Sequence, residues 1–430
     1  MRRSDASGII ASVSTDAGPS EKVAPDWDAF RARFPVTERA VYMNTGWSGP
    51  SSREVVEAVQ RRIEREAFGG PTSPEVRHEK ALLVQEARAA LASVIGAEDV
   101  ALMYSTTEGM NAVLRGLGLG PGDEVLTCNL EHSSVMVPCY HLRRTSGVDV
   151  SVVRSSANET ADELAALFEE AITERTKLVV ISHISYNRGT RLPVERIIRA
   201  AHERGALVLL DGAQSAGQIE VDARALDADF YAFPAHKFVL GPDGAGGLYV
   251  RPDLIERVEP AFVGHAASEY YDFEGNFTPR TGSLYKFQLP THSGPLLAGV
   301  IEAVRLLRET GIAAIEARGR ELSTRLLDGL LRIEGVDVRT PLDPALRSAL
   351  VTFTVGDQDP NETCAALWQL ARVVGRVAGD KRVRLSIAAF NNEADVDTAL
   401  AAVEQLATRG LPSGALTAAQ YKEQLAEDDD

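Results

Sequence analysis

A lysine stands alone in the run FYAFPAHKFVLGPDGAGGLYV (residues 230–250), with apolar residues ahead of it and a glycine-rich stretch behind. In an apolar pocket an ammonium loses basicity, and the neutral amine is a nucleophile toward aldehydes; a surface lysine on a loop is the plainer alternative for Lys237. Upstream, Asp211 ends the run ALVLLD and leads into GAQSAG. A carboxylate after five apolar residues is costly to bury without a partner, although an aspartate there also suits the cap of a following helix. In YSTTEGMN (104–111) the residues Ser105, Thr106 and Thr107 fall where a strand gives way to a helix. Hydroxyls and free amides at a helix start form an anion cradle, and the same string also reads as an ordinary capping box.

Such groups act together only if strand ends bring them together. Seven apolar β-rich runs are candidates: 100–105, 124–129, 149–154, 177–184, 206–211, 229–233 and 246–250. Helical patterns such as ADELAALFEEAI and VERIIRAAHERG lie between many of them, which predicts an α/β architecture with a mainly parallel seven-stranded sheet. Several of these runs are apolar throughout, as expected of strands covered by helices on both faces. In such sheets functional groups collect at the carboxyl ends of the strands. The texture changes after about residue 295, where longer helical stretches surround a few strands. We expect a flexible arm over 1–24 and a large unit over 25–294 whose N-terminal segment joins the smaller one. A smaller α+β unit over 295–412 and an acidic tail over 413–430 complete the chain.

Composition narrows the function. A net charge of −16 argues against a nucleic-acid or membrane-surface partner, and no apolar run approaches a membrane span. Cys128, Cys139 and Cys364 are too scattered for a metal site or a disulfide framework, which suits a reducing cytoplasm.

Asp211, then Gln214, then His236-Lys237 is the order and spacing of a pyridoxal phosphate enzyme. There a lysine forms the Schiff base, and an aspartate keeps the pyridine nitrogen protonated so that the ring accepts electrons. With STTEGMN, LEHSSVMVP, SHISYNRGTRLPV, LLDGAQSAG, AHKFVLGPDGAGGLYV and VRLSIAAFNNEADVD, residues 40–410 resemble the class V aminotransferases of fold type I. That group includes cysteine desulfurases, selenocysteine lyases, kynureninases and isopenicillin N epimerase-like enzymes.

The resemblance implies a role for each matching residue. Lys237 carries the cofactor and moves the substrate α-proton. Asp211 pairs with the ring nitrogen, Gln214 donates to the cofactor's phenolic oxygen, and His132 stacks on the ring. Thr106 and Thr107 hold the phosphate with His236 beside it. Gly282 and Ser283 touch the phosphate of a neighbouring subunit, which implies a homodimer with shared sites. Arg384 grips the substrate carboxylate with its two-donor fork, and Trp47, Tyr186 and Asn187 line the substrate side.

The chain departs from the pattern in four places. Pro234 stands where a phosphate-binding serine is expected, and Tyr186 replaces a substrate-side asparagine. The stretch SLYKFQLPTHSG (283–294) is long enough to bring Tyr285, Phe287 or His292 toward a neighbouring site. No cysteine occupies VVGRVAGDK, the interval where desulfurases carry their sulfur-accepting loop. The resemblance therefore points to β-elimination on an S-substituted cysteine. A decarboxylating or oxidative deamination of a cysteine conjugate in specialised metabolism, an epimerase and an aminotransferase are alternatives, and a fold retained as a non-catalytic scaffold comes last.

Overall fold

The computed structural model describes residues 24–156, 158–379 and 381–425. All but Ala24 of the expected arm, and the last five residues of the tail, lie outside these. Seven strands form the larger sheet: β1 (Ala101–Met103), β2 (Glu124–Cys128), β3 (Asp149–Val153), β4 (Thr176–Ser182), β5 (Leu207–Asp211), β6 (Phe230–Pro234) and β7 (Gly246–Val250). Their order is β1-β7-β6-β5-β4-β2-β3. Only β7 runs against its neighbours, β1 and β6. Two reversals restore direction, so the carboxyl end of β1 lies at the same edge as those of β2, β4, β5 and β6.

Most of the apolar runs read from the sequence are buried, while Asp149–Val153 at the sheet edge is exposed at its start and half-buried over its next three residues. Leu207–Asp211, Phe230–Pro234 and Gly246–Val250 are buried at every position. One face of the sheet packs a cluster that includes Val208, Leu210, Tyr231 and Phe233. The other packs Leu209, Phe230, Ala232 and Leu248. The alternation along each strand is the two-residue period of a sheet covered on both sides.

A second sheet is antiparallel, in the order β8-β9-β11-β10, from β8 (Val336–Val338), β9 (Leu350–Val355), β10 (Arg376–Ala378) and β11 (Arg382–Ser386). The N-terminal segment is stitched to this layer. Val41–Tyr42 pairs parallel with Val373–Val374, Met43 shares a core with Leu385 and Ile387, and the Ser386 N–H donates to the Met43 carbonyl at 2.6 Å.

Two helices sit differently from the sequence expectation. Gly294–Thr310, grouped by its texture with the smaller unit, buries Leu297, Val300, Val304 and Leu307 in the larger core. Helical periodicity marks an apolar stripe but does not say which core the stripe meets. The expected tail contains a helix, Ala418–Leu425, whose first N–H donates to Glu362 at 3.2 Å. Among the described residues no helix is long and apolar enough to cross a membrane.

Candidate active site

Five strand ends supply one side of a cleft of about 210 Å³. Ser105, Thr106 and Thr107 follow β1, His132 and Ser134 follow β2, and Ser182 ends β4. Asp211 ends β5, and Pro234 ends β6 just ahead of His236 and Lys237. Gly46 and Trp47 come from the N-terminal segment, and Arg376 and Arg384 from the second sheet.

Lys237 sits in a tight loop. The Gly49 N–H donates to the His236 carbonyl at 2.6 Å, and a Cβ on Gly49 would lie 2.2 Å from the Lys237 carbonyl oxygen. Only glycine admits that approach. Three residues on, Leu240 holds φ at 61°, a conformation that side chains rarely adopt, and its N–H closes on the Lys237 carbonyl at 3.0 Å. Burial pushes the Lys237 amine down from 10.5 to about 8; Asp211 opposes the shift, while Arg384 and Arg376 add to it.

Asp211 is 3 % exposed. Its Oδ1 accepts the Ala213 N–H at 2.8 Å and its Oδ2 accepts the Ser134 hydroxyl at 3.2 Å. Burial raises its pKa, against the Lys237 charge and these two donors. His132 caps the helix Ser133–Ser146, with Nδ1 accepting the Ser134 N–H at 3.1 Å. Its ring meets Tyr186 edge-on at 4.8 Å. Burial, then the charges of Lys237, Arg376 and Arg384, lower its pKa to about 4, so the imidazole is neutral at physiological pH.

At the helix Thr106–Gly116 the string STTEG caps the helix without closing a capping box, since Glu108 accepts the Tyr104 N–H and not that of Ser105. Ser105 Oγ accepts the Glu108 N–H at 3.2 Å as a cap, while Ser105, Thr106 and Thr107 all face the cleft. Pro234 lines the cleft without a hydroxyl, and Ser105 lines the same cleft. Burial and the adjacent Lys237 lower the pKa of His236.

Arg384, on β11, is 1 % exposed. One Nη donates to the Tyr186 carbonyl at 2.9 Å, while Nε and Nη2 have no hydrogen-bond partner among the described residues. Gln214 donates to the Gly46 carbonyl at 2.8 Å, and its Oε1 is likewise unpaired and buried. Trp47 lies under the Arg376 guanidinium at 3.9 Å.

Of the residues singled out in the sequence, Lys237, Asp211, His132, Gln214, Thr106, Thr107, His236, Arg384, Tyr186 and Trp47 meet in this one cleft. Asn187 does not. It is buried with its side chain against Gly379, because consecutive residues of the loop face opposite ways. Gly282 and Ser283 also lie outside this cleft, where Ser283 caps the short helix Leu284–Phe287. The 283–294 stretch packs on its own chain. Tyr285 lies under Arg88 at 4.1 Å, Phe287 joins the core, and His292 stacks on Tyr104 at 4.9 Å. Sequence reasoning missed Ser134, Ser182, Gly46 and Arg376. Arg376 stands in the interval read only for its lack of cysteine.

Buried polar atoms seldom go without partners, so the unpaired atoms of Gln214 and Arg384, both lining the cleft, suit a polar ligand. The donor set fits pyridoxal phosphate: a helix start for its phosphate, a depressed amine for its aldehyde and a buried carboxylate for its ring nitrogen. Among the described residues no cluster suits a metal ion. Cys128, Cys139 and Cys364 are all buried, and none lines the cleft.

The family model described as aminotransferase class-V matches residues 48–399. A probable cysteine desulfurase of Methanothermobacter thermautotrophicus is 32% identical over 349 residues, 80% of this chain and 86% of the relative. One of Halobacterium salinarum is 31% identical, covering 91% of this chain and 98% of its own length. Among solved structures, the cystine C–S lyase C-DES in complex with its product cysteine persulfide superposes with a TM-score of 0.80 at 26% identity, over 86% of this chain and 99% of that one. The Escherichia coli cysteine desulfurase CsdA gives 0.81 at 26%, over 91% and 100%.

Proposed function

The chain belongs to the class-V aminotransferase family and is a pyridoxal phosphate enzyme, and from that premise we propose that it cleaves the carbon–sulfur bond of an S-substituted cysteine by β-elimination. The observation that carries this choice is a cleft with lysine, aspartate, histidine and arginine on its walls and no thiol among its lining residues. A desulfurase needs a cysteine to accept sulfur. A lyase needs only to move the α-proton and release a thiolate. Likeness to the cystine C–S lyase supports the second reading.

When bound, the cofactor supplies an electron sink for the charge released as the α-proton leaves. The protein's own groups do the rest. Lys237 Nζ would hold the cofactor until the substrate amine displaces it, and the freed amine would then take the α-proton as a base. The depressed pKa of Lys237 matches that task near neutral pH. Asp211 would face the ring nitrogen and hold its proton. His132, neutral, would pack on the ring, and Gln214 would meet the phenolic oxygen. Thr106, Thr107, Ser105 and His236 would hold the phosphate at the helix start. Arg384 takes the α-carboxylate on its two unpaired donors. The Cβ–S bond then breaks with its electron pair leaving on sulfur, and the three-carbon remainder hydrolyses to pyruvate and ammonia.

We place the enzyme as a homodimer in which Gly282 and Ser283 reach the partner's phosphate site. An exposed hairpin just ahead of them, Ser268–Tyr271 with Phe277–Pro279, presents Tyr270, Tyr271, Phe273 and Phe277 to solvent, which supports a protein contact there.

A panel of S-substituted cysteines, assayed for pyruvate, ammonia and thiol, tests the reaction. Replacing Cys128, Cys139 and Cys364 together by alanine should leave pyruvate formation within about threefold in a variant that stays folded, since core cysteines pack as small apolar groups. Loss of activity in that folded variant would return the desulfurase reading. Asp211→Asn should keep the cofactor's colour but lower kcat by about 10²–10⁴-fold, because an amide cannot hold the ring proton. Near-normal turnover in Asp211→Asn would remove Asp211 from that role.

A further inference from the structure

His132 arrives from the end of β2 and Asp211 from the end of β5, and Ser134 joins them. Its N–H donates to His132 Nδ1 at 3.1 Å. Its Oγ lies 3.0 Å from the same nitrogen and 3.2 Å from Asp211 Oδ2. A neutral imidazole has one acceptor nitrogen, and the backbone amide already occupies it. The ring proton therefore sits on Nε2, and the hydroxyl hydrogen goes to the carboxylate. Ser134 is 8 % exposed and is anchored in the first turn of the helix Ser133–Ser146, so its geometry is fixed by the fold.

We propose that Ser134 is a positioning residue that fixes the His132 ring as its Nε2–H tautomer through the backbone amide and holds Asp211 in its ionised form through the hydroxyl. Asp211 has two donors, the Ala213 N–H and the Ser134 hydroxyl. A donor to a carboxylate favours the charged form. Without the hydroxyl Asp211 becomes more basic, draws the proton away from the cofactor's ring nitrogen and weakens the electron sink. The role presumes that this ring nitrogen faces Asp211. Because the test reads the resting enzyme without substrate, a wrong choice of reaction leaves its outcome unchanged.

The measurement is the pH dependence of the visible absorbance band of the holoenzyme, in the parent protein, Ser134→Ala and Ser134→Thr. The groups bearing on it are Asp211, Arg384 and Arg376 around Lys237, the His132 and His236 rings beside it, and Glu131 and Tyr231 near Asp211. All are common to the three proteins, so their own titrations cancel in the comparison. With less charge on the ring, the Lys237 nitrogen keeps its proton to higher pH. In Ser134→Ala the midpoint should move up by about one pH unit, kcat should fall about tenfold, and KM should stay within about twofold. Ser134→Thr, which keeps the hydroxyl, should restore both midpoint and kcat. A lower melting temperature with an unmoved midpoint in Ser134→Ala overturns the proposal. So does a threonine variant that behaves like alanine.

Discussion

Lys237→Ala is expected to lose the visible band of the covalently held cofactor and to lower turnover by on the order of 10³-fold or more, since nucleophile and base go together. The cleft should otherwise persist. Asp211, His132 and Arg384 are held by partners of their own: the Ala213 N–H, the Ser134 N–H and the Tyr186 carbonyl. Absorbance and single-turnover assays on the folded variant check this, and retention of both band and rate would remove Lys237 from the chemistry. The depressed pKa adds a signed expectation for the parent protein. Only the neutral amine attacks an aldehyde. The rate at which the cofactor-free chain captures pyridoxal phosphate should therefore rise with pH and reach half its maximum near pH 8, where Lys237 titrates, rather than near its ordinary 10.5. A profile still climbing steeply well above pH 8 would mean that burial does not depress this lysine.

The second large effect belongs to Arg384. Burial, with Arg376 beside it, pushes its pKa down, which means that its charge is held at a cost a bound carboxylate relieves. Removing one member of such a buried pair costs about 2–5 kcal/mol. Arg384→Ala should accordingly raise KM for amino acids from about 30-fold to beyond 10³-fold. The visible band should persist, with its pH midpoint moving upward because one positive charge near Lys237 is gone. Arg384→Lys should recover little, since an ammonium lacks the planar two-donor fork. Steady-state kinetics beside a spectrum of each variant decide the matter, and an unchanged KM in Arg384→Ala would show that the carboxylate binds elsewhere.

Much of the sheet was legible because its strands are apolar on both faces, a pattern with few other readings in an α/β chain. Lys237 and Asp211 were legible for the same reason, as polar residues at the ends of runs that exclude them. The less visible features depend on pairing across the fold. Arg376 faces the cleft because β10 pairs with β11 so that its Cα lies opposite that of Arg384, a register no local pattern encodes. Ser134 matters through contact with a residue 77 positions away. Tyr186 and Asn187 were read together, and only the turn of the loop separates them. The helix Ala418–Leu425 was hidden by the acidic residues that follow it.

The stretch from Val41 to Gly49 is anchored at both ends. Val41–Tyr42 is paired into the second layer, and the Gly49 amide clasps the His236 carbonyl beside Lys237. In mechanical terms it is a short tether in series between the layer that carries Arg384 and the loop that carries the amine. Displacement of the second layer therefore loads the Gly49 clasp alongside the side-chain links from Ser348 to Gly189 and from Arg384 to Tyr186. The placement of Arg384 and that of the amine are thus coupled through main chain as well as through side-chain contacts.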